Sequence, residues 1–372
     1  MKKLFWIVLN LLNRLVPKLN NVILLYSGVE YKDNIKAIGD YLYEHHYDNR
    51  YHIFFGEYQR KDKYVLVAGK KKFIWEKMFS VLIFLFAKKV FYAFNAIPIY
   101  PSKQQIVLQM WHGMPLKSIF NANAATLSRY DYFSFILATS PLYAKIMSES
   151  VPCPVDKVVI MGQPRTDVML KNVSCPERKK IVFWAPTFRK AKYWNQNDAE
   201  MISYIPIVPN NQIDKLSEAL CGMGIHLVVK LHPMEMCDDS FALHYDSIDI
   251  YSHEMFVKNG FELYDFLGKT DALITDYSST YMDYLLLNRP IGFVLEDFDS
   301  YKNQRGFVFE DPFEYMPGEI ISDYPNLLSF FESIAAGKDP FYKKREKINK
   351  LFNDYDTQKS NCETVLNFMG IF

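Results

Sequence analysis

The chain has 372 residues, 49% of them apolar and 16% aromatic, so it is long enough for two α/β domains and too apolar for extended disorder. Its formal net charge of +1 conceals an asymmetry, because residues 1–130 hold 19 Lys and Arg against 8 Asp and Glu. The sequence has no H-E-x-x-H, G-x-x-x-x-G-K-S/T or G-x-G-x-x-G motif and no known nucleic-acid-binding module. These absences argue against a zinc protease, a P-loop NTPase, a dinucleotide enzyme and a nucleic acid partner.

The basic first part of the chain carries two apolar segments. Residues 3–16 predict a helix with a broad apolar face opposite a polar side, which is formed by Lys3, Asn10, Asn13 and Arg14. The segment is too short to cross a bilayer and lacks a signal-peptide cleavage site, so the helix either lies in a membrane interface or packs on its domain. Met78–Phe86, flanked by lysines, predicts a second membrane-facing helix.

These two segments and the charge asymmetry predict a peripheral, monotopic protein at the cytoplasmic face of the membrane, with an anionic membrane surface as a partner. The five cysteines are consistent with that compartment. They form no C-x-x-C pair and are odd in number, which indicates reduced thiols rather than a disulfide framework.

Short apolar runs alternate with helical patterns along most of the chain, which is typical of doubly wound parallel sheets. The predicted strands are Asn21–Ser27, Tyr51–Phe55, Tyr64–Val67, Val90–Phe94, Ile106–Met110, Phe135–Ala138, Val158–Met161, Ile181–Trp184, Ile225–Leu231, Ile248–Tyr251, Ala272–Ile274 and Ile291–Leu295. The polar stretch 171–179 predicts a linker, and the chain from about Pro325 predicts helices alone. We therefore expect an α/β fold with two Rossmann-like domains, 1–172 and 173–340. C-terminal helices at 341–372 follow, and packing back on the first domain is one arrangement open to them.

Five of the predicted strands end in polar residues suited to chemistry, and ligands bind at the carboxyl ends of parallel strands. These ends are Trp111-His112-Gly113, Gly162-Gln163-Pro164-Arg165, Ala185-Pro186-Thr187-Phe188-Arg189, Lys230-Leu231-His232 and Thr275-Asp276-Tyr277-Ser278-Ser279-Thr280. Each also has an ordinary structural interpretation, such as a turn histidine for His112, a solvent-facing strand end for Lys230, or a helix cap for Ser278 or Ser279. Two histidines, several cations and a hydroxyl-rich helix start together favour transfer chemistry on a phosphorylated compound.

These segments resemble the motifs of the CDP-glycerol glycerophosphotransferase family, which includes teichoic acid primases and polymerases. Trp111-His112-Gly113-Met114-Pro115-Leu116-Lys117 is similar to the family's WHG.PLK element, Gly162–Arg165 to G.PR, Ala185–Arg189 to APT.R, Leu231-His232-Pro233 to its second histidine motif, and Thr275–Ser279 with Asp283 and Arg289-Pro290 to TDYSS…D…RP. The resemblance covers about residues 108–320. Met114, Gln163 and Thr166-Asp167 depart from the residues expected in the family's motifs. These departures leave the transfer chemistry intact, and they leave open the identity of the acceptor and of the polyol.

The resemblance implies a GT-B fold with two Rossmann-like domains facing a cleft. It implies transfer of a polyol phosphate, glycerol phosphate first, from its CDP ester to a hydroxyl of a lipid-linked saccharide or polyol-phosphate acceptor, with release of CMP. His112 would be the general base, and His232 the second catalytic residue, acting on the charge of the departing CMP. The implied substrate-binding residues are Trp111, Gly113, Lys117, Arg165, Thr187, Arg189, Lys230, Thr275, Asp276, Ser278, Ser279, Thr280, Asp283 and Arg305.

Two other classes of protein are alternatives. A GT-B glycosyltransferase or a sugar-nucleotide epimerase would use a similar cleft on a nucleotide sugar. A membrane scaffold would carry a degenerate site, which the intact His112 and His232 argue against. The sequence assigns no cofactor and no metal ligand, and it leaves open whether a divalent cation assists. It also leaves open the polyol, the number of units added and the oligomeric state.

Overall fold

The computed structural model describes residues 2–28, 31–57, 64–118, 131–151, 153–171, 179–186, 205–231, 241–295, 298, 302 and 306–372, with the backbone only for Lys2 and Lys3. These residues divide into two compact units. The first takes residues 1–114, 119–167 and 351–372, and the second takes 115–118 and 168–350. Residues 172–178 of the predicted linker lie outside the described residues, as do the candidate site residues Thr187, Arg189, His232 and Arg305.

The helices of the described part of the chain are α1 (Lys2–Leu15), α2 (Asp33–Glu44), α3 (Lys77–Phe86), α4 (Pro141–Ser150), α5 (Thr166–Lys171), α6 (Ile213–Gly222), α7 (His253–Lys258), α8 (Leu263–Lys269), α9 (Thr280–Tyr284), α10 (Tyr324–Ala335), α11 (Tyr342–Phe352) and α12 (Asn361–Phe368). Among them none combines the length and the continuous apolar character that crossing a bilayer requires.

The first unit is built on an eight-stranded sheet. Its strands are β1 (Leu19–Ser27), β2 (His52–Glu57), β3 (Tyr64–Val67), β4 (Lys70–Trp75), β5 (Ala87–Ala93), β6 (Ile106–Gln109), β7 (Phe135–Ala138) and β8 (Val158–Ile160), in the order β3-β4-β2-β1-β5-β6-β7-β8. Pairing is parallel except between β3 and β4. From Val22 to Tyr26 the central strand β1 is a continuous apolar run, because both of its faces are buried there.

The two faces of this sheet carry different helices. Ile23 and Leu25 of β1 pack in one cluster with Ile35 and Ile38 of α2. On the other face, α3 packs against β1 and β2, and its Phe84 ring stacks on Tyr92 of β5 at 6.3 Å. Alternate residues of the central strands therefore serve two helical layers, as the doubly wound prediction requires.

The edge of the first sheet differs from the prediction. β3 is predicted from the sequence but β4 is not, because three successive lysines, Lys70–Lys72, look like the solvated flank of the next helix. In the structure they open β4, which forms an antiparallel hairpin with β3. Ala68 and Gly69 both have positive φ (44° and 74°), as a two-residue hairpin turn needs. The ammonium of Lys72 lies 4.1 Å from the centroid of the Tyr43 ring.

The last helix of the chain completes the core of the first unit. Cys362, Val365 and Leu366 of α12 are buried in the same cluster as the central strands and α2. The carboxylate of Asp167 accepts hydrogen bonds from the amides of Asn361 (2.8 Å) and Cys362 (2.9 Å) at the start of this helix. Residues far apart in the sequence thus form one core.

The second unit is built on a seven-stranded sheet. Its strands are β9 (Lys180–Trp184), β10 (Ile225–Lys230), β11 (Ala242–His244), β12 (Ile248–Tyr251), β13 (Ala272–Thr275), β14 (Ile291–Val294) and β15 (Glu319–Ile321), in the order β11-β12-β10-β9-β13-β14-β15. All pairs are parallel except β11 with β12. Leu327 and Phe330 of α10 are buried with the central strands in one core.

The predicted fold class is confirmed at the level of each unit. Both sheets are mainly parallel, and helices follow the last strand to the end of the chain. Besides β4, the three-residue strands β11 and β15 are not predicted, because each mixes polar and apolar residues, whereas the equally short β8 is wholly apolar and is predicted. The helix predicted to start at the hydroxyl-rich stretch before Tyr281 is an α-helical turn to Tyr284 followed by a 3₁₀ turn at Leu285–Leu287, which ends at Asn288 in the left-handed conformation.

Candidate active site

The first group of candidate residues lies in the turn that follows β6. Trp111 has a φ of 57° and Gly113 a φ of 112°, so the backbone is left-handed on both sides of His112. The side-chain oxygen of Gln109 accepts a hydrogen bond from the amide of Trp111 (3.0 Å) and holds the start of the turn. Glycine adopts such a φ freely, whereas for tryptophan it is strained, and strain of this kind collects at functional sites.

The imidazole of His112 is stacked on two aromatic rings. Its centroid lies 4.8 Å from that of Trp111, with 26° between the ring planes. It lies 4.7 Å from the centroid of Phe94, with 16° between the planes. Trp111 is a predicted site residue, but Phe94 is not, because an aromatic residue that ends an apolar strand carries no chemical signal in the sequence.

Arg165 is buried beside this turn and is only 5% exposed. Its guanidinium Nη1 donates a hydrogen bond to the carbonyl oxygen of His112 (3.1 Å) and lies 3.9 Å from a carboxylate oxygen of Asp33. The structure thus places the predicted cation against the backbone of His112. In that position Arg165 supports the turn, and its direct contact with substrate stays a prediction.

The turn that carries Arg165 is itself tied to α2. Asn34 at the start of α2 accepts a hydrogen bond from the amide of Arg165 (3.2 Å) and donates one to the side chain of Gln163. Both side chains are buried. Gln163 therefore has a clear structural role here, and Asn34 holds the backbone of Arg165, which in turn donates to the carbonyl of His112.

Lys117, from the same sequence motif as His112, belongs to the second unit. It forms an isolated antiparallel bridge with Phe307, and the neighbouring amide of Ser118 donates to the carbonyl of Gly306 (3.2 Å). The amide of Val308 donates to the carbonyl of Leu116 (2.9 Å). Residues 115–118 are thus a short strand-like segment of that unit.

The second group of candidate residues follows β13. Thr275 is buried, and its hydroxyl donates to the carbonyl of Ala185 (3.1 Å) at the end of the adjacent strand β9. The hydroxyl of Ser278 donates to that of Thr280 (3.0 Å) and accepts from the amide of Thr280 (3.3 Å). Ser278 therefore caps the backbone of the turn, whereas Ser279, at the cap position itself, makes no side-chain capping bond.

Two carboxylates of this segment are buried. Asp276 is 2% exposed, and Asp283 is 4% exposed and accepts a hydrogen bond from the hydroxyl of Tyr264 (2.6 Å). Arg289, from the same sequence motif, donates to the carbonyls of Gly268 (2.8 Å) and Thr270, next to α8. Asp283 and Arg289 thus join this helical turn to α8, and a substrate contact by Asp283 stays a prediction.

Lys230 lies at the end of β10, next to β9 in the sheet. It is half-buried, and its ammonium is 5.9 Å from the centroid of the Phe256 ring. The strands β10, β9 and β13 are consecutive in the sheet. Lys230, Ala185 and Thr275 therefore lie side by side where the carboxyl ends of these strands meet. Among the described residues, no three His, Cys, Asp or Glu side chains are grouped so that they would hold a metal ion.

Relatives of known activity match the chain over most of its length. A teichoic acid ribitol-phosphate primase of Bacillus spizizenii is 27% identical over 73% of this chain and 70% of the primase. A teichoic acid glycerol-phosphate transferase of Staphylococcus aureus is 25% identical over 95% of both chains. A teichoic acid poly(glycerol phosphate) polymerase of Staphylococcus epidermidis is 24% identical, and the match covers 48% of its length.

Solved structures of other proteins share the fold of this chain. A structure of the wall teichoic acid polymerase TagF superposes with a TM-score of 0.74 at 20% identity, over 95% of this chain and 89% of that one. A UDP co-structure of S. aureus MnaA superposes less well, with a TM-score of 0.54 at 13% identity. The profile of the CDP-glycerol:poly(glycerophosphate) glycerophosphotransferases matches residues 8–369. The strained His112 turn and the hydroxyl-rich turn after β13 are thus features of a chain that belongs to the CDP-glycerol:poly(glycerophosphate) glycerophosphotransferase family.

Proposed function

We propose that this protein transfers glycerol phosphate from CDP-glycerol to a hydroxyl of a lipid-linked saccharide or polyol-phosphate acceptor, with release of CMP. The observation that carries the proposal is the family match over residues 8–369, combined with a half-buried histidine held in a strained turn. Ribitol phosphate is the other polyol phosphate that relatives of this chain handle.

The reaction needs a proton acceptor at the attacking hydroxyl, and we assign that role to His112. The acceptor oxygen forms a bond to the phosphorus that carries the glycerol. The bond between that phosphorus and the bridging oxygen of CMP breaks, and the electron pair leaves with CMP. The proton of the hydroxyl passes to a ring nitrogen of His112. His112 suits the task because its ring is stacked and its carbonyl is anchored by Arg165, which favours a fixed orientation.

The donor is assigned to the second unit. Negative charge grows on the departing CMP phosphate, and donors in fixed positions stabilise such charge. Ser278, Ser279 and Thr280 bring hydroxyls and backbone amides to one turn, and Lys230 brings a cation to the same sheet edge. His232 and Arg305 are assigned here from the family resemblance of the sequence, as are Thr187 and Arg189. Asp276 is assigned to orient the turn, and the alternative is a contact to the cytidine or the ribose.

This assignment gives the two domains separate tasks within a GT-B arrangement. The domain predicted at 1–172 is assigned the acceptor and the membrane surface, and the domain predicted at 173–340 is assigned the CDP donor. Of the helices predicted at 341–372, α12 supports the first of these domains. The burial of α12 in the core of the first unit supports that last step.

Membrane attachment is the second part of the proposal, and the build of α1 supports it. Asn13 is fully buried, and its amide donates to the carbonyl of Tyr100 (2.9 Å) and to the side chain of Gln105 (2.7 Å). The side chain of Asn10 accepts from the amide of Tyr100 (2.8 Å). α1 is therefore attached to its unit by its polar side.

The apolar side of α1 is left exposed by this attachment. Its exposed apolar residues are Leu4, Phe5, Ile7, Val8, Leu11, Leu12 and Leu15, and Leu15 is 78% exposed. On α3 the apolar residues Met78, Phe79 and Leu82 are each more than half exposed. An apolar face of this size on a basic unit suits the interface of an anionic membrane, where a lipid-linked acceptor keeps its reacting end.

A nucleotide-release assay tests the catalytic proposal. Purified protein is given CDP-glycerol, CDP-ribitol, UDP-N-acetylglucosamine or a CMP-sugar, each with and without a lipid-linked saccharide acceptor. We expect acceptor-dependent release of CMP from CDP-glycerol, and a lower rate with CDP-ribitol. Nucleotide release or epimerisation of the UDP-sugar, with neither CDP-polyol consumed, would instead establish the alternative of a glycosyltransferase or an epimerase.

A further inference from the structure

Phe94 and His112 leave the first sheet at the same edge. Phe94 follows β5 and His112 follows β6, and these strands pair in parallel with Tyr92 opposite Gln109. The amide of Met110 donates to the carbonyl of Tyr92 (2.8 Å), so the pairing continues up to the point where both segments turn. The strand register therefore brings Phe94 and His112 together.

Phe94 is held in an unusual backbone conformation. Its φ is 66°, in the left-handed region that bulky L residues rarely adopt. Trp111 has a φ of 57°, so both aromatic rings that contact the imidazole of His112 stand on strained backbone. Strain at two such positions persists only where the surroundings impose it, and it is a feature of functional sites.

The end of β1 fixes the backbone around Phe94. The amide of Gly28 donates to the carbonyl of Ala93 (3.0 Å), one residue before Phe94. A Cβ at Gly28 would lie 2.7 Å from the backbone nitrogen of Asn95, one residue after it. The chain at Phe94 is thus pressed closely against β1, where only a glycine leaves room. Phe94 itself is part-buried at the margin of the core.

We propose that Phe94 is a positioning residue for His112. The phenyl ring of Phe94 fixes the plane of the imidazole, so that the nitrogen that takes the proton of the acceptor hydroxyl points in one direction. This rests on the proposed role of His112 as the general base. An imidazole stacked on flat rings cannot turn freely about its Cβ–Cγ bond, whereas an imidazole with a free face can. The π face of Phe94 also attracts the imidazolium that forms when His112 takes the proton.

The test uses three substitutions that differ in ring and backbone preference. Phe94→Gly relieves the strained φ and removes the ring, Phe94→Asn keeps a residue that tolerates the left-handed region and removes the ring, and Phe94→Tyr keeps a ring. We expect kcat for CMP release to fall about 10- to 100-fold in the glycine and asparagine variants, the scale of a misplaced catalytic group, with KM for CDP-glycerol within about twofold. Phe94→Tyr should keep most of the rate.

A double substitution separates positioning from a general loss of structure. In the His112→Ala background, adding Phe94→Gly should lower the residual rate no further, because the ring acts only through His112. A rise in KM with unchanged kcat, a wild-type kcat in Phe94→Gly, or an independent loss in the double variant would overturn the proposal. Thermal unfolding identifies variants that fail to fold, and Phe94→Asn then carries the test if Phe94→Gly is unstable.

A spectroscopic measurement makes the result independent of turnover. In protein labelled at the histidine ring carbons, the His112 resonances, assigned with a His112→Gln variant, should move when Phe94→Gly removes one ring current. Tyr41→Ala is the matched control, since the Tyr41 ring stacks on His45 of the same unit at 3.9 Å. That variant should move only the His45 signals and leave kcat unchanged.

The two readouts distinguish the two proposals. If the wild type turns over no CDP-polyol while Phe94→Gly still moves the His112 signals, the proposed function fails and the stacking stands. If the wild type is active and Phe94→Gly changes neither the His112 signals nor kcat, the positioning role of Phe94 is refuted.

Discussion

In both units the candidate residues lie in turns after strands, but the two turns are held by different contacts. In the first unit the side chain of His112 is stacked on Phe94 and Trp111, and its carbonyl is held by the buried guanidinium of Arg165. In the second unit the hydroxyls after β13 bond mainly within their own turn, as Ser278 does with Thr280. The side chain of His112 is thus braced by residues from elsewhere in the chain, whereas the hydroxyls of Ser278 and Thr280 bond to each other, and it is Thr275 and Asp283 at the two ends of the segment that contact β9 and α8.

This difference suits the two halves of a phosphoryl transfer. The nitrogen of a general base has to point at the proton that it removes. A side chain whose orientation is fixed by several neighbours is therefore suited to this role. The charge of a departing phosphate is spread over several oxygens, so a turn with many donors stabilises it even if no single donor dominates. Substitutions in the first turn should therefore act on kcat, and those in the second mainly on donor affinity.

The largest effects are expected from the two histidines. His112→Ala and His232→Ala should each lower kcat at least about a hundredfold, the usual scale for loss of an acid–base or charge-stabilising group. Turnover of CDP-glycerol by folded protein is the measurement. His45→Ala in the first unit and His244→Ala in the second are matched controls that should keep the wild-type rate. Near-normal turnover in either site variant would remove that histidine from the mechanism.

Two arginines that donate to backbone carbonyls, the buried Arg165 and the half-buried Arg289, sharpen the comparison further. Arg165→Met and Arg289→Met both remove charged donors to backbone carbonyls, so each should destabilise the protein by roughly 1–3 kcal/mol in denaturant unfolding. Only Arg165→Met should also lower kcat of the folded protein, by about tenfold or more, because it frees the turn of His112. Equal kcat in the two variants would show that Arg165 supports the fold alone.

The proposed donor site is probed by the double variant Ser279→Ala with Arg305→Ala. We expect CDP-glycerol to bind about tenfold more weakly in calorimetry, on the scale of one lost charge-assisted hydrogen bond, with acceptor affinity unchanged. Ser360→Ala, at the cap of α12 in the first unit, serves as a control that removes a hydroxyl from a different helix start. An unaltered donor affinity in the double variant would place the CDP group elsewhere.

A smaller effect is expected at the membrane. Leu11→Asp with Leu15→Asp places two charges on the exposed side of α1 and leaves the bonds of Asn13 intact. The variant should float with anionic vesicles several-fold less than the wild type, because a single interfacial helix binds weakly and reversibly. Lys269→Asp on the second unit is the control, since only the first unit has an exposed apolar helix face of this kind among the described residues. Identical flotation of all three proteins would argue that α1 does not contact lipid.

The smallest effect concerns pH and the attachment of α1. Burial lowers the pKa of Lys18 from its usual 10.5 to about 8, and its ammonium donates to Asn13 (2.9 Å). Between pH 8 and 10.5 the unfolded chain keeps a proton that the folded chain has released, so this residue makes the free energy of unfolding rise with pH over that window. Below pH 8 both states are protonated and the cost of burying the charge is present in full. Lys18→Met should flatten this part of the pH–stability curve, and an unchanged slope would contradict the assignment.

The sequence predicted the fold best where apolar residues follow one another along a buried strand. Eleven of the twelve strands predicted from apolar runs are strands within two residues of the predicted ends, and β5 begins three residues earlier than predicted. Buried parallel strands have to be apolar throughout, so this signal is local and strong. β4 and β11 carry mixed or short patterns, and only their pairing with a neighbouring strand makes them strands.

The chemistry of the strand ends was also determined by the sequence. The motifs around His112, Arg165, Lys230 and Thr275–Thr280 place reactive residue types at the carboxyl ends of strands, and the topology puts them there. Only the tertiary structure decided which partner each side chain contacts. Arg165 meets the carbonyl of His112, and α12 closes the first core, through contacts between segments far apart in the chain. Such partners are set by strand register and packing, which no local pattern encodes, and for the same reason Phe94 was recognised beside His112 only in the folded molecule.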